Sequence, residues 1–393
     1  MATRIGSGQS KARDTRAGAE EAIKQALEPL PGKRASFGFI FASPCHDLRT
    51  VTEVARSLSP QAEFVAASSG GGFTERGLVQ QGIVVLAVST QQMLWDATYA
   101  SGISRGVTPV ASSLCTRFRE LKASAMDKGF PYSNTVLLLD GLTGVGEALV
   151  DEVLRHTGLT HQVVGGAAAD DWNLQATHVA ARGQAGKDAA TTLHVFSHGA
   201  WGVGVEHGRC PASSKMEVTK SKGSTVYELD GRPAIEAYRA LAKAQPGMPK
   251  DDKALIVGHE LGLYFVDEVR KARAVLGVGA DGSLSCAADV PQHATVSILG
   301  GDTASMVSAA RRAAQEAKDG LRKNRAAGVL VFDCVSRLSL MTPAGFGREI
   351  EAIASVFPGV PVAGFHTYGE IARFKGRMDG WHNTTAVVVA IPE

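Results

Sequence analysis

Near the end of the chain, His366-Thr-Tyr-Gly-Glu370 sets an imidazole, a hydroxyl, a phenol and a carboxylate around one glycine. Such a set binds rather than reacts, offering donors, acceptors and a charge where the backbone can come close. Upstream, Cys334 and Arg337 add a thiol and a guanidinium; downstream, His382 and Asn383 add two more hydrogen-bonding side chains. Arg337 is suited to clamp an anionic group, because its planar fork matches a carboxylate. Glu370 would then take an ammonium, and the two together fit an amino-acid-like ligand. The competing reading pairs Arg337 with Glu370 as structural support. Asn383 suits its own loop backbone better than a ligand.

Other chemistries are thinner. Cys334 would serve as a nucleophile if Arg337 and His382 lowered its pKa, but a lone cysteine ending a strand is more often a small core residue. Neither Ser68-Ser69 nor Ser112-Ser113 sits in a G-x-S-x-G elbow. The chain therefore reads as a non-enzyme, with Cys334 catalysis as an alternative. The eleven histidines include no HExxH, and His194 and His198 lie in a segment that reads as strand and turn, which separates them, so no metal site is expected. Haem needs only one axial histidine; His366, His382, His259 and His207 are the candidates, each reading better as structural. The glycine-rich runs Ile5-Gly-Ser-Gly-Gln, Ser69-Gly-Gly-Gly and Val164-Gly-Gly-Ala lack a P-loop lysine and read as tight turns or close backbone packing.

These groups must be positioned by elements that recur. A helix pattern over Thr15–Leu27 leads to an apolar strand, Phe37–Ala42, an amphipathic segment Leu48–Leu58, a strand from Glu63, and a returning strand Gly82–Val88. The same grammar follows in Phe118–Met126, Thr135–Leu139, Glu147–His156, Gln162–Gly166 and Thr192–Phe196. A third copy opens at Thr295–Gly301 and runs through a helix at Ser305–Arg325, a strand at Val329–Phe332, a helix at Phe346–Phe357, the His366 loop and Thr385–Ile391. Strand starts are 26 positions apart from Phe37 to Glu63, 27 from Thr135 to Gln162 and 32 from Val329 to Pro361, which supports a repeat. The predicted fold is mixed α/β, with helix-strand-helix-strand-strand units forming two lobes of mixed sheets flanked by helices.

A stretch of different character, about Gly199 to Gln292, separates the second and third copies. It holds a clear linker, Gln245–Asp252, short strands at Ala254–Val257, Leu261–Val266 and Ala274–Val278, and a hairpin turn at Asp281-Gly282. With 393 residues, two domains are expected: 34–228 and 229–391, after a helical lead-in at 1–33. Lys+Arg total 41 against 39 Asp+Glu, a net charge of +2, which argues against nucleic acid as a partner. The basic run Arg311, Arg312, Lys318, Arg322, Lys323 and Arg325 sits at helical spacing and reads as a solvated face. Five scattered cysteines with no CxxC exclude a disulfide framework. With no apolar leader and no run of about 18–20 apolar residues, the sequence is expected to be cytoplasmic and free of the membrane.

Taken together, Ala363-Gly-Phe-His-Thr-Tyr-Gly-Glu-Ile371 with His382-Asn383 resembles the signature of the FIST family, a bacterial sensory module of paired N- and C-terminal FIST domains. Val331-Phe-Asp-Cys-Val-Ser-Arg337, Val164–Asp171, Glu206-His-Gly208, Val218-Thr-Lys and Tyr227–Ala234 extend the resemblance over nearly the whole chain. The resemblance implies signal transduction by binding a small ligand, with amino acids as proposed ligands and no cofactor required. It implies as an alternative a haem-binding nitric-oxide sensor that acts on a histidine kinase; an oligomer is compatible with either. One departure stands out. Where the family's N-terminal domain tends to carry a Gly-Glu pair, this chain has Ser68-Ser-Gly-Gly-Gly-Phe73, with no carboxylate until Glu75.

Overall fold

Along Phe37–Ala42 every residue is buried, and successive side chains enter different cores. Phe37, Phe39 and Phe41 join one apolar cluster; Ile40 and Ala42 join another, lined by helix residues such as Ala22, Ile23, Val51 and Val54. A strand apolar on both faces must be covered on both. The computed structural model, which describes residues 2–158, 160–245, 248–249, 251–373 and 380–393, shows how. The chain forms two compact units, Met1–Glu206 with Val307–Trp381 and Ala386–Glu393, and His207–Met306 with His382–Thr385.

The first unit contains the repeats. Copy one runs β1 (Arg4–Ser10), α1 (Thr15–Leu27), β2 (Phe37–Ala42), α2 (Leu48–Leu58), β3 (Glu63–Ser68), the hairpin β4 (Gly72–Thr74) and β5 (Gly77–Val79), and β6 (Ile83–Ser89). Copy two runs β7 (Met93–Ser101), α3 (Val107–Leu114), α4 (Phe118–Asp127), β8 (Tyr132–Leu139), α5 (Gly146–Thr157), β9 (Gln162–Ala167), the hairpin β10 (Val179–Ala181) and β11 (Gln184–Gly186), and β12 (Ala189–Ser197). Copy three opens with β13 (Gly202–Glu206), and 207–302 then intervene before its helix.

That insertion carries most of the second unit: β14 (Cys210–Pro211), β15 (Met216–Lys222), β16 (Thr225–Leu229), β17 (Arg232–Pro233), α6 (Ile235–Ala244), α7 (Asp252–Ile256), β18 (Leu261–Phe265), β19 (Glu268–Arg273), β20 (Val275–Val278), β21 (Leu284–Cys286) and β22 (Thr295–Gly300). Its strands form one nine-stranded sheet over a core that includes Tyr238, Leu261 and Ile298. Copy three resumes with α8 (Thr303–Gly320), β23 (Ala326–Cys334), α9 (Val335–Val356), β24 (Val362–Thr367), β25 (Glu370–Arg373), β26 (Trp381–His382) and β27 (Ala386–Pro392).

Each copy builds a six-stranded sheet from four of its own strands and two borrowed ones. The orders are β1-β6-β2-β3-β10-β11, β7-β12-β8-β9-β25-β26 and β13-β27-β23-β24-β4-β5. The central pairs β2/β3, β8/β9 and β23/β24 are parallel, as a strand-helix-strand crossover demands, and the other pairings within each copy are antiparallel. The hairpins are exchanged in a cycle: copy two's onto sheet one, copy three's onto sheet two, copy one's onto sheet three. Phe41 of β2 stacks on Phe365 of β24 at 4.1 Å between ring centroids and meets Phe332 of β23 edge-on. Burying each such ring contributes about 1.5–3 kcal/mol.

Several expectations change. The third copy begins at Gly202, not Thr295, whose strand belongs to the second unit's sheet. The lead-in contains a paired strand, β1. Ala254–Val257, read as strand, is mostly helix α7, because the Asp251 side chain caps it by accepting from Ala254 N. The helix after β22 ends at Gly320, so Arg322, Lys323 and Arg325 lie beyond it; Arg312 is exposed and pairs with Glu206. In the Gln245–Asp252 linker, Pro246, Gly247 and Lys250 lie outside the described residues. All five cysteines are free thiols. Among the described residues no helix is long and apolar enough to cross a membrane.

Glycine pairs show why copies one and three match. A β-carbon on Gly8 would lie 1.8 Å from the Ala22 carbonyl oxygen of α1, and one on Gly202 would lie 1.7 Å from that of Ala317 in α8. Both strands press directly on a helix backbone. Gly202→Ala is expected to cost about 3 kcal/mol, because backbone rather than a flexible side chain must yield. A urea midpoint within error of the parent protein would refute it.

Candidate functional site

At the C-terminal end of β23 the chain turns directly into α9. Arg337, on the first turn of that helix, has no exposed surface. Its Nη2 donates to both carboxylate oxygens of Glu349 at 2.8 and 2.7 Å, and its Nε lies 3.3 Å from Asp333 Oδ2. Residues 337 and 349 would stand about 18 Å apart along a straight helix. They meet because α9 breaks at Thr342 (φ 64°, ψ 162°) and Pro343, which lets its second half fold back. Burial, and then the neighbouring Glu349, push the Asp333 carboxyl well above its usual range, with Arg337 opposing. Asp333 is therefore the neutral member of a buried cluster. Thr367 Oγ1 donates to Glu370 Oε1 at 2.6 Å, and Glu370 is fully buried in turn.

The structure thus brings Cys334, Arg337, Thr367 and Glu370 together around the end of the parallel pair, but under the surface. Arg337 is occupied by Glu349 and Asp333, in place of an open clamp. Cys334 is 5% exposed and accepts from Ser336 Oγ. His366 is enclosed by Phe73 and Phe346, with ring centroids at 5.5 and 4.5 Å. Its Nδ1 donates to the Gly71 carbonyl, leaving Nε2 as a lone pair without a hydrogen-bond partner among the described residues. Burial lowers its pKa to about 4. His382 and Asn383 are buried too, and they belong to the second compact unit, as do His207 and His259. Among the described residues no group of three or more His, Cys, Asp or Glu has the arrangement to hold a metal ion.

Tyr368 points elsewhere. Its hydroxyl donates to Asp170 Oδ1 at 2.6 Å, and its ring lies 5.8 Å from that of Trp172. Burial acts to raise the Asp170 pKa. The Tyr368 hydroxyl and the N–H groups of Ala176, Gln175 and Leu174 outweigh it and hold that pKa below the usual value. The next residue behaves oppositely: burial, then the adjacent Asp170, bring Asp171 up to about 6. Asp171 and Trp172 line a cleft of about 990 Å³, floored by the first half of α9 through Val335, Leu338 and Ser339, with Lys11 and Leu78 also in its wall. Trp172 Nε1 donates to Ser339 Oγ at 3.1 Å. Sequence reasoning missed Glu349, Lys11 and Trp172. The spacing Asp333-x-x-x-Arg337 was visible, but Pro343 hid the partner that matters most.

The pattern of the FIST N domain matches residues 36–232, and that of the FIST C domain matches 234–373. The chain belongs to the FIST family. FIST domains are sensory domains of signal-transduction proteins. An uncharacterized protein of Mycobacterium bovis is 28% identical over 98% of this chain and 97% of its own. One from Mycobacterium tuberculosis is 27% identical over 98% of each. A solved chorismatase covers 100% of this chain and 98% of its own at 10% identity, with a TM-score of 0.35. This FIST chain's departure at Ser68–Phe73 has a structural counterpart. Glu75 is spent on the scaffold, accepting from Ser7 Oγ and Val362 N.

Proposed function

We propose that this protein is a sensor that binds a small amino-acid-like ligand in the α9 cleft and signals through a separate partner, with no catalysis of its own. The observation that supports this is a single cleft lined by one cation, one carboxylate and several apolar side chains. Lys11 faces a ligand carboxylate, Asp171 an ammonium, and Trp172 with Leu78, Val335 and Leu338 a side chain. Gln80, Gln81 and Thr342 complete a lining of mixed polarity, and concave sites that combine apolar side chains with placed polar groups are where small molecules bind.

The route outward runs through α9. Ser339 already holds Trp172, and Thr342 at the break in the helix lines the same cleft. A ligand that prefers one arrangement of the two half-helices shifts the population toward it. The partner is a separate signalling protein; a histidine kinase is the partner that the resemblance implies for the haem-sensor alternative.

Calorimetry of the full chain against the common amino acids is the test, with native mass spectrometry for co-purified molecules. Lys11→Ala and Trp172→Ala should each weaken binding about tenfold, the equivalent of ~1.4 kcal/mol. Affinity should strengthen as pH rises through about 6, where Asp171 ionises, and Asp171→Asn should abolish that dependence. No saturable heat from any amino acid, with no small molecule in the mass spectrum, would sink the proposal. A Soret band in the visible spectrum would instead favour haem on His366, His382, His259 or His207.

A further inference from the structure

A second cleft, of about 860 Å³, opens in the first copy. Its walls are the start of α2 (Cys45 to Arg49), Ser68 at the end of β3, the Asp170–Ala176 loop, and Ala185 to Lys187 at the end of the β10–β11 hairpin. It stands to α2 and a borrowed hairpin as the α9 cleft stands to α9 and β4–β5. Its chemistry differs.

The two carboxylates in the wall are already committed. Asp47 caps α2, accepting from Thr50 N at 2.8 Å and Thr50 Oγ1 at 2.6 Å. Asp170 accepts from Tyr368 and three backbone N–H groups. His46 is also engaged, with Thr15 Oγ1 at 3.2 Å and the Gln81 carbonyl at 3.4 Å. The donors are not committed. Among the described residues no hydrogen bond or ion pair engages the side chain of Arg49, Lys187 or His178. Because Asp47 already caps α2, side chains and not the helix terminus would hold a ligand here.

We infer that this cleft binds a small dianion, a dicarboxylate or a phosphate, between Arg49 on α2 and Lys187 beyond β11, with His178 as a third donor. A guanidinium and an ammonium on opposing elements suit two negative groups, or one doubly charged group. His178 is held below its ordinary pKa by burial and then by Lys187, against the pull of Asp140, Asp47 and Asp170. A dianion beside it would reverse that shift.

The experiment is calorimetry of the full chain at fixed ionic strength with succinate, inorganic phosphate and uncharged succinamide, alongside NMR titration of His178. One or both anions should bind saturably and succinamide should not. Arg49→Ala and Lys187→Ala should each weaken binding tenfold or more, Lys11→Ala in the other cleft should leave it unchanged, and the His178 pKa should rise in the complex. Succinate alone binding marks a carboxylate ligand and phosphate alone a phosphate; either supports the inference. No saturable heat from either anion, or equal affinity in the Arg49→Ala/Lys187→Ala double variant, would overturn it. Because both substitutions are at exposed positions, circular dichroism should show the variants folded.

Discussion

Glu349→Ala is expected to destabilise the protein by about 3 kcal/mol, and Glu349→Ala combined with Asp333→Asn by about 5 kcal/mol. The reason lies in the buried cluster. Arg337 is wholly inaccessible and its Nη2 is bonded to both Glu349 oxygens. Removing one partner of a buried pair leaves an uncompensated charge, which is the costly event. Asp333 tempers that cost. It is neutral partly because Glu349 stands beside it, so once Glu349 is gone it is free to ionise and take over the guanidinium. An amide at that position has no such reserve, so the double loss should exceed the sum of the singles. Replacing the pair outright, with Arg337→Met and Glu349→Leu, should recover much of the stability. Urea denaturation of the set measures this. If Glu349→Ala moves the midpoint by less than a tenth, the cluster carries little of the fold, since total stabilities run only about 5–15 kcal/mol.

A second large effect should appear on acidification. His161, His194 and His366 are all buried, and burial is the leading cause that lowers each of their pKa values, to about 4 for His194 and His366. Folded, they stay neutral; unfolded, they take up protons below about 6.5. Stability is therefore complete above that pH and is lost as pH falls toward 4, by about 1.4 kcal/mol per unit for each imidazole. Asp333 and, below about 6, Asp171 work the other way, holding a proton when folded and ionised when unfolded, and together they offset up to two of the three. The net slope should be about 2 kcal/mol per pH unit between 6 and 4.5.

The geometry of one pair explains why these rings resist protonation. His194 Nε2 donates to the Leu114 carbonyl at 3.0 Å, so its Nδ1 accepts from Thr135 Oγ1 at 2.7 Å. Thr135 in turn accepts from His161 Nε2 at 2.6 Å, which leaves His161 Nδ1 a lone pair with no partner among the described residues. A second proton has no acceptor waiting. His194→Gln should remove roughly a third of the imidazole contribution, and a urea midpoint flat from pH 7 to 5 would refute the account.

The sheets' central strands were legible because burial on both faces writes an uninterrupted apolar run, as in Phe37–Ala42 or Val329–Phe332. The repeat was legible for the same reason. The hairpins were not. Gly72–Val79 holds only two three-residue strands, and nothing in it names Val362–Thr367, nearly three hundred positions on, as its partner. At the site, residue types were readable and their direction was not. Arg337 and Glu370 look like ligand groups until Glu349 and Thr367 are seen to occupy them. The placement of Asp171 and Trp172 in a cleft wall is not legible in sequence, because their loop runs through left-handed backbone, φ 53° and 65°, which no periodicity announces.

The exchange of hairpins bears on how the molecule is made. During synthesis the first sheet has an unsatisfied edge at β3 until 179–186 emerge, and the second has one at β9 until 370–373 emerge. Copy one's own hairpin waits for β24. No single copy can finish alone, so assembly depends on contacts distant in sequence, which are slow to form. Open strand edges in the meantime are templates for wrong pairing. The two family patterns, 36–232 and 234–373, each cover only part of that assembly. The unit that folds is the closed ring of three.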